Sequence, residues 1–175
     1  ADKIMDLFGI NRVISNPEFL SEATAEHDSK YPPFILLGGE QPDFLEDVAG
    51  VYLGRIKSAP VILTDNKTAE MAKLAMNAYF TTKVVFANEL YDSCQKLGVN
   101  YEKVKEVLES HPFGPKNHFD IWHNGGRGAL GRCLWKDTRA YGHYTDLYLI
   151  KKVIALNEGL IWEYPKKNKD ALNTH

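Results

Sequence analysis

Two cysteines in 175 residues leave no disulfide framework, and Cys94 and Cys133 stand too far apart for a metal pair. Their scarcity fits a reducing compartment, so the cytoplasm is the expectation. Charge of one sign is also lacking. The formal net charge is −2, which gives no argument for nucleic acid or an anionic membrane as partner. No long apolar run is present: the most apolar segment is interrupted by Lys73, Asn77, Lys83 and Glu89, which argues against a membrane span. The opening ADKIMDLFG is charged and too short in its apolar part for a secretory signal. His111, His118 and His123 lack metal-ligand spacing. No GxGxxG follows any predicted strand, so the dinucleotide fingerprint is missing. There is no internal repeat and no low-complexity tract.

What is present is an ordinary globular composition in a chain long enough to bury a core. Residues 2–8 read as the end of an amphipathic helix and RVIS at 12–15 as a short buried strand, stopped by Asn16-Pro17. Ser21 to His27 is expected to be helical. FILLGGE supplies a second strand around 34–38, Gln41 to Leu53 an amphipathic helix, and PVILTD a third strand at 60–64. This alternation predicts an α/β edge of about three strands with parallel-type pairing.

After Asp65 the character changes. Asp65 or Asn66 caps a long helix running to about Leu97, with Gly98 just past its end. Its first half is apolar nearly all round, the mark of a buried helix. A shorter amphipathic helix follows Asn100, with Val104, Val107 and Leu108 on one face. Residues 111–132 read as irregular, and a last helix is expected from about Tyr144 to Trp162. YPKKNKDALNTH then reads as a frayed basic tail. The chain thus divides into an α/β piece, 1–65, a mainly α-helical piece, 66–165, and a polar tail, 166–175.

The richest stretch is GGRGALGRCLWKDTRAY, Gly125 to Tyr141. Cys133 ends a glycine-rich loop that lets backbone approach a ligand closely. Arg132 precedes it and Lys136 follows, cations that favour a nucleophilic thiolate. Asp137 is positioned for acid/base work or for orienting water. A surface loop with a stray cysteine accounts for the same residues equally well. Lys73 and Asn77 lie four apart on one face of an otherwise apolar helix, where burial requires partners. The plainer alternative has Lys73 reaching to water and Asn77 bonded to nearby backbone. Glu18 and Glu22 follow Pro17 at a strand end, where ligands bind in α/β folds or where glutamates simply complement a helix dipole. Cys94, without cationic neighbours, reads as packing.

Three segments together resemble the UDP-glucose/GDP-mannose dehydrogenase family. NPEFLSEATAEHD looks like that family's NPEFLREGxAxxD, and TAEMAKLAMNAYFTTKVVFANEL looks like its AExxKxxxNxxxAxKIxxxNE helix. GALGRCLWKD looks like GFGGSCFPKD. Order and spacing match over nearly the whole chain. The resemblance implies that residues 1–65 are the remnant of a Rossmann-type NAD-binding domain. Residues 66–165 would be the central helical dimerisation domain, with one long buried helix.

The chemistry it implies oxidises the C6 alcohol of a UDP- or GDP-sugar to the uronic acid, using two NAD per turnover. Cys133 attacks the intermediate aldehyde, and the thioester formed on it is hydrolysed with help from Asp137 and Glu18. Lys73 and Asn77 stabilise the oxyanion. Phe19, Leu20, Gly128, Gly131 and Lys136 face the substrate, and Glu22 lies toward the cofactor; no metal is implied. The implied partners are the nucleotide sugar and a second copy of the chain. Ala129, Leu130, Arg132 and Trp135 depart from the family's loop pattern, and Ser21 stands where arginine is usual. With no NAD phosphate loop, the chain alone is expected to be incomplete as a dehydrogenase, an excised piece or a naturally short relative. The alternative expectation is a catalytically inactive oligomerisation module of the same fold.

Overall fold

The computed structural model describes residues 1–21, 23–123 and 125–164. The chain divides into two compact units, Ala1–Lys73 and the residues from Leu74 on. The dividing point lies inside the long helix rather than at its start. The basic tail lies outside the described residues.

The first unit contains α1 (Asp2–Phe8), β1 (Ile14–Ser15), α2 (Ala25–Lys30), β2 (Ile35–Gly39), α3 (Pro42–Arg55) and β3 (Val61–Thr64). β2 is the central strand. It pairs in parallel with β3, Ile35 opposite Val61 through Gly38 opposite Thr64. β1 pairs antiparallel with β2 through Ile14–Gly39 and Ser15–Gly38, so the sheet is mixed. Ile35 and Leu37 pack with Leu45 and Ala49 of α3 and with Ala59, as alternate strand residues meet a helix face. β1 is shorter than the expected 12–15 and only half-buried. The carbonyl of Val13 bonds the Asn66 side chain, which also accepts from the Ser15 amide. α2 starts at Ala25 rather than Ser21. The Asp28 carboxylate accepts from the Ser21 amide at 3.1 Å and the Thr24 hydroxyl at 2.6 Å. Those two bonds, the hydroxyl first, hold the Asp28 carboxyl below its ordinary range.

The long helix, α4 (Asn66–Leu97), has the expected bounds. Asp65 caps it by accepting from the Thr68 amide at 2.8 Å and hydroxyl at 2.6 Å. Gly98 ends it at φ 66, a torsion that favours glycine. Three helices follow: α5 (Tyr101–Ser110), α6 (Arg132–Thr145) and α7 (Tyr148–Glu163). α5 starts at Asn100, whose side chain accepts from the Lys103 amide. Tyr101, Val104 and Leu108 pack against Ala87, Cys94, Phe119 and Ile121. Val107, expected on that face, is 69% exposed. At 100° per residue it falls about 60° outside the arc spanned by the other three.

The sequence predicts one terminal helix from Tyr144 to Trp162, and the structure has two. Asp146 stops α6 in the left-handed conformation, φ 54, which aspartate tolerates better than most residues. The two helices approach closely at Gly142. A Cβ there would stand 2.7 Å from Ile154 Cδ1. α4 is less buried than its composition suggests, with Tyr79 and Phe86 both more than half exposed. Among the described residues no helix is long and apolar enough to cross a membrane.

Candidate active site

The second unit brings Asn77 of α4 against Asp137 of α6. Asn77 Nδ2 donates to Asp137 Oδ2 at 2.6 Å, with both residues buried. Lys136 Nζ donates to the other carboxylate oxygen at 2.5 Å. A buried carboxylate is costly unless paired and hydrogen-bonded, and here one amide and one ammonium do both. Lys136 is raised above its ordinary value, first by the bond to Asp137 and in smaller part by the Cys133 sulfur. One turn beyond Asn77 on α4 and next to Asp137 on α6, the Thr81 and Thr138 hydroxyls lie 2.7 Å apart, both fully buried. They fix the register in which α6 meets α4.

Cys133 lies in the first turn of α6 and is exposed. Lys136 and Asp137 follow at the i+3 and i+4 positions and so share its side of the helix. The start of α6 at Arg132 puts the cysteine inside the helix. Gly131 is the N-cap, with an ordinary φ of −65 and no side-chain cap. A Cβ at 131 would meet nothing within 4 Å, so nothing in this chain's own packing requires glycine there. Gly128 differs: φ is 89, and a Cβ would stand 2.9 Å from Asn157 Oδ1. Its glycine is required by close packing on α7. Leu130 has no positive φ, so it occupies the family's glycine position without torsional strain.

Two residues outside the sequence assignment hold this loop. Arg127, 2% exposed, donates to the Asn88 side chain at 2.8 Å and to Asp92 at 2.8 Å. Its guanidinium also lies over the Tyr91, Trp122 and Tyr164 rings. Asn157, fully buried on α7, bonds both backbone groups of Ala129. The signal for Asn157 was present. It falls on the buried stripe Ile150, Val153, Asn157, Leu160, a polar residue on an apolar face just as Asn77 is.

In the first unit, Lys73 is half-buried, with Nζ 5.0 Å from the Phe19 ring centroid. Partial exposure and a cation–π contact answer the burial cost raised above. Phe19 is half-buried against Phe34, ring centroids 4.8 Å apart, while Glu18 and Leu20 are exposed. Lys73 and Asn77 occupy successive turns of α4. Glu22 lies outside the described residues. Gly38 and Gly39 end β2, and a Cβ at Gly38 would stand 2.6 Å from both Ala69 Cβ and the Asp65 carbonyl oxygen.

In the second unit a long helix and a glycine loop leave Cys133 and Asp137 on one side of α6, within the stretch that matches the central domain of nucleotide-sugar dehydrogenases. The chain belongs to the UDP-glucose/GDP-mannose dehydrogenase family, whose central domain matches residues 67–158. It is 34% identical over 152 residues to the UDP-glucose 6-dehydrogenase of Rickettsia felis, covering 83% of this chain and 33% of that protein. The UDP-glucose dehydrogenase of Pyrobaculum islandicum superposes with a TM-score of 0.72 at 30% identity, over 84% of this chain and 34% of that one. The UDP-D-ManNAc dehydrogenase of Pyrococcus horikoshii gives 0.75 at 25% identity, over 93% and 40%. The chain spans about a third of the length of the curated relatives it matches.

Proposed function

We propose that this chain carries the sugar-end chemistry of a nucleotide-sugar 6-dehydrogenase. The substrate is a UDP- or GDP-sugar whose C6 alcohol becomes a carboxylate. The Cys133 sulfur bonds to C6 of the intermediate aldehyde, and the thiol proton passes to the aldehyde oxygen. Loss of a hydride from C6 and of the proton from its hydroxyl leaves a thioester, and water then adds at C6 and releases the thiol and the carboxylate. Lys73 and Asn77 donate to the developing oxyanion, Asn77 through the second hydrogen of the amide that already holds Asp137. Asp137 and Glu18 orient the water. Phe19, Leu20, Gly128, Gly131 and Lys136 contact the substrate. The hydride acceptor is NAD, two per turnover. Glu22 is proposed on the cofactor side, and the cytoplasm as the site of action.

The observation that best supports this reading is the buried hydrogen bond from Asn77 of α4 to Asp137, which shares α6 with exposed Cys133. The open space around Gly131 agrees with a ligand passing there. The chain is proposed to act as a homodimer through α4 and α7, whose Tyr79, Phe86, Leu149 and Trp162 are exposed. Those same faces support the second reading, an oligomerisation module without turnover. Titration of UDP-glucose, UDP-N-acetylmannosamine and GDP-mannose against the chain tests the proposal. Saturable binding of one of them supports it, and binding of none leaves the second reading.

A further inference from the structure

We propose that Asn157 is a positioning residue for Cys133. This inference rests on the reading of Cys133 as the reacting group. The Asn157 side chain is fully buried in the middle of α7. Its Oδ1 accepts from the Ala129 amide at 2.7 Å, and its Nδ2 donates to the Ala129 carbonyl at 3.3 Å. One side chain thus satisfies both backbone groups of a single residue in a loop with no regular partners. Leaving a buried peptide group unbonded is costly, so the loop has one low-energy seat on α7.

The seat is shaped for this contact. Gly128 lies so close to Asn157 Oδ1 that a Cβ could not be fitted, and its φ of 89 turns the chain toward the amide. Ala129 itself is 3% exposed. From Ala129 only Leu130 and Gly131 intervene before α6 begins, and the Gly131 carbonyl already accepts the helix's first bond, from Trp135 at 3.2 Å. Any shift of Ala129 therefore moves the start of α6 and Cys133 in its first turn. Asp137, one turn further along, is held independently by Asn77. The first turns of α6, which carry both residues, are thus held from two sides, by α7 at the loop and by α4 at the carboxylate.

The test compares Asn157→Leu, which fills the same volume without hydrogen bonds, with Val153→Ala, a packing loss on the same buried stripe of α7. Both are measured at matched stability, set by urea concentration. The readouts are hydrogen exchange at the Ala129 amide and the iodoacetamide labelling rates of Cys133 and Cys94. In Asn157→Leu, Ala129 is expected to exchange at least about tenfold faster than in Val153→Ala. Cys133 labelling is expected to shift at least about threefold, with Cys94 alike in the two variants. Equal Ala129 exchange, or a freed loop with unchanged Cys133 labelling, overturns the proposal. If Asn157→Leu does not fold, Asn157→Ala replaces it. The unsubstituted chain is run alongside, and an unprotected Ala129 amide there also overturns it. No readout uses a nucleotide sugar, so failure of the enzymatic reading leaves these results distinct.

Discussion

Asn77 Nδ2 donates to Asp137 Oδ2 across 2.6 Å, joining two buried side chains that stand 60 positions apart in the sequence. The Asp137 side chain is only 8% exposed, while its second partner, Lys136, is 75% exposed. The carboxylate therefore depends on the amide for its desolvated side and on the ammonium for its wet side. This bond ties the helix bearing Lys73 to the helix bearing Cys133.

Breaking the bond from either end leaves a buried polar group without its partner. Asn77→Ala and Asp137→Ala are each expected to lower stability by about 1–3 kcal/mol. The double variant should lose less than the sum, with a coupling of about 1 kcal/mol or more. Urea unfolding of the four proteins measures it. Additive losses would mean that the two residues stabilise the fold independently.

The two cysteines should label very differently. Cys133 is exposed at the start of α6, whereas Cys94 is 4% exposed within the packing of α4, α5 and Phe119. A short iodoacetamide pulse followed by peptide mapping is expected to modify Cys133 at least about tenfold faster. Equal labelling would mean that the packing around Cys94 opens readily.

How much of this was legible in the sequence follows from where the signals are local. The bounds of α4 were readable because Asp65 and Gly98 punctuate it and the apolar pattern between them is long. α6 was not, because it starts directly on the glycine loop without a side-chain cap. It also carries Gly142 in its interior, which lowers helix propensity. The contact of Gly142 with α7, which explains that glycine, is a tertiary fact. The break at Asp146 depends on an aspartate torsion that composition does not announce. Asn77 was singled out as a polar residue on an apolar helix face, and Asp137 and Cys133 by the glycine-rich loop before them. Asn157 and Arg127 were passed over because their partners are a backbone loop and α4, distant in sequence.

Stability should fall as the solution becomes mildly acidic, in part through His118. Burial first, then the Lys83 charge, hold its ring below the ordinary value of 6.5. The unfolded chain therefore takes up a proton at this ring before the folded chain does. The contribution of neutral His118 is complete above 6.5 and is lost as pH falls through the folded value. His118→Asn, which tolerates the φ of 68, should lose less stability than the unsubstituted chain between about pH 7.5 and about pH 5. Parallel urea midpoints over that range would show that His118 titrates alike in both states.

Association should use the exposed apolar faces of α4 and α7. Sedimentation is expected to show a dimer at micromolar concentration, and Phe86→Glu, at a residue 55% exposed, should shift it to monomer. A monomer in the unsubstituted chain would contradict that association.

The central claim is that Cys133 reacts with the oxidised sugar end of a bound nucleotide sugar. The most direct measurement is iodoacetamide labelling of Cys133 in the presence of the 6-aldehydes of UDP-glucose, UDP-N-acetylmannosamine and GDP-mannose. The corresponding free sugar 6-aldehydes at equal concentration serve as controls. One nucleotide-borne aldehyde is expected to slow Cys133 labelling at least about fivefold more than its free sugar, by forming a thiohemiacetal, with Cys94 unaffected. Equal labelling with nucleotide-borne and free aldehydes throughout would contradict the account.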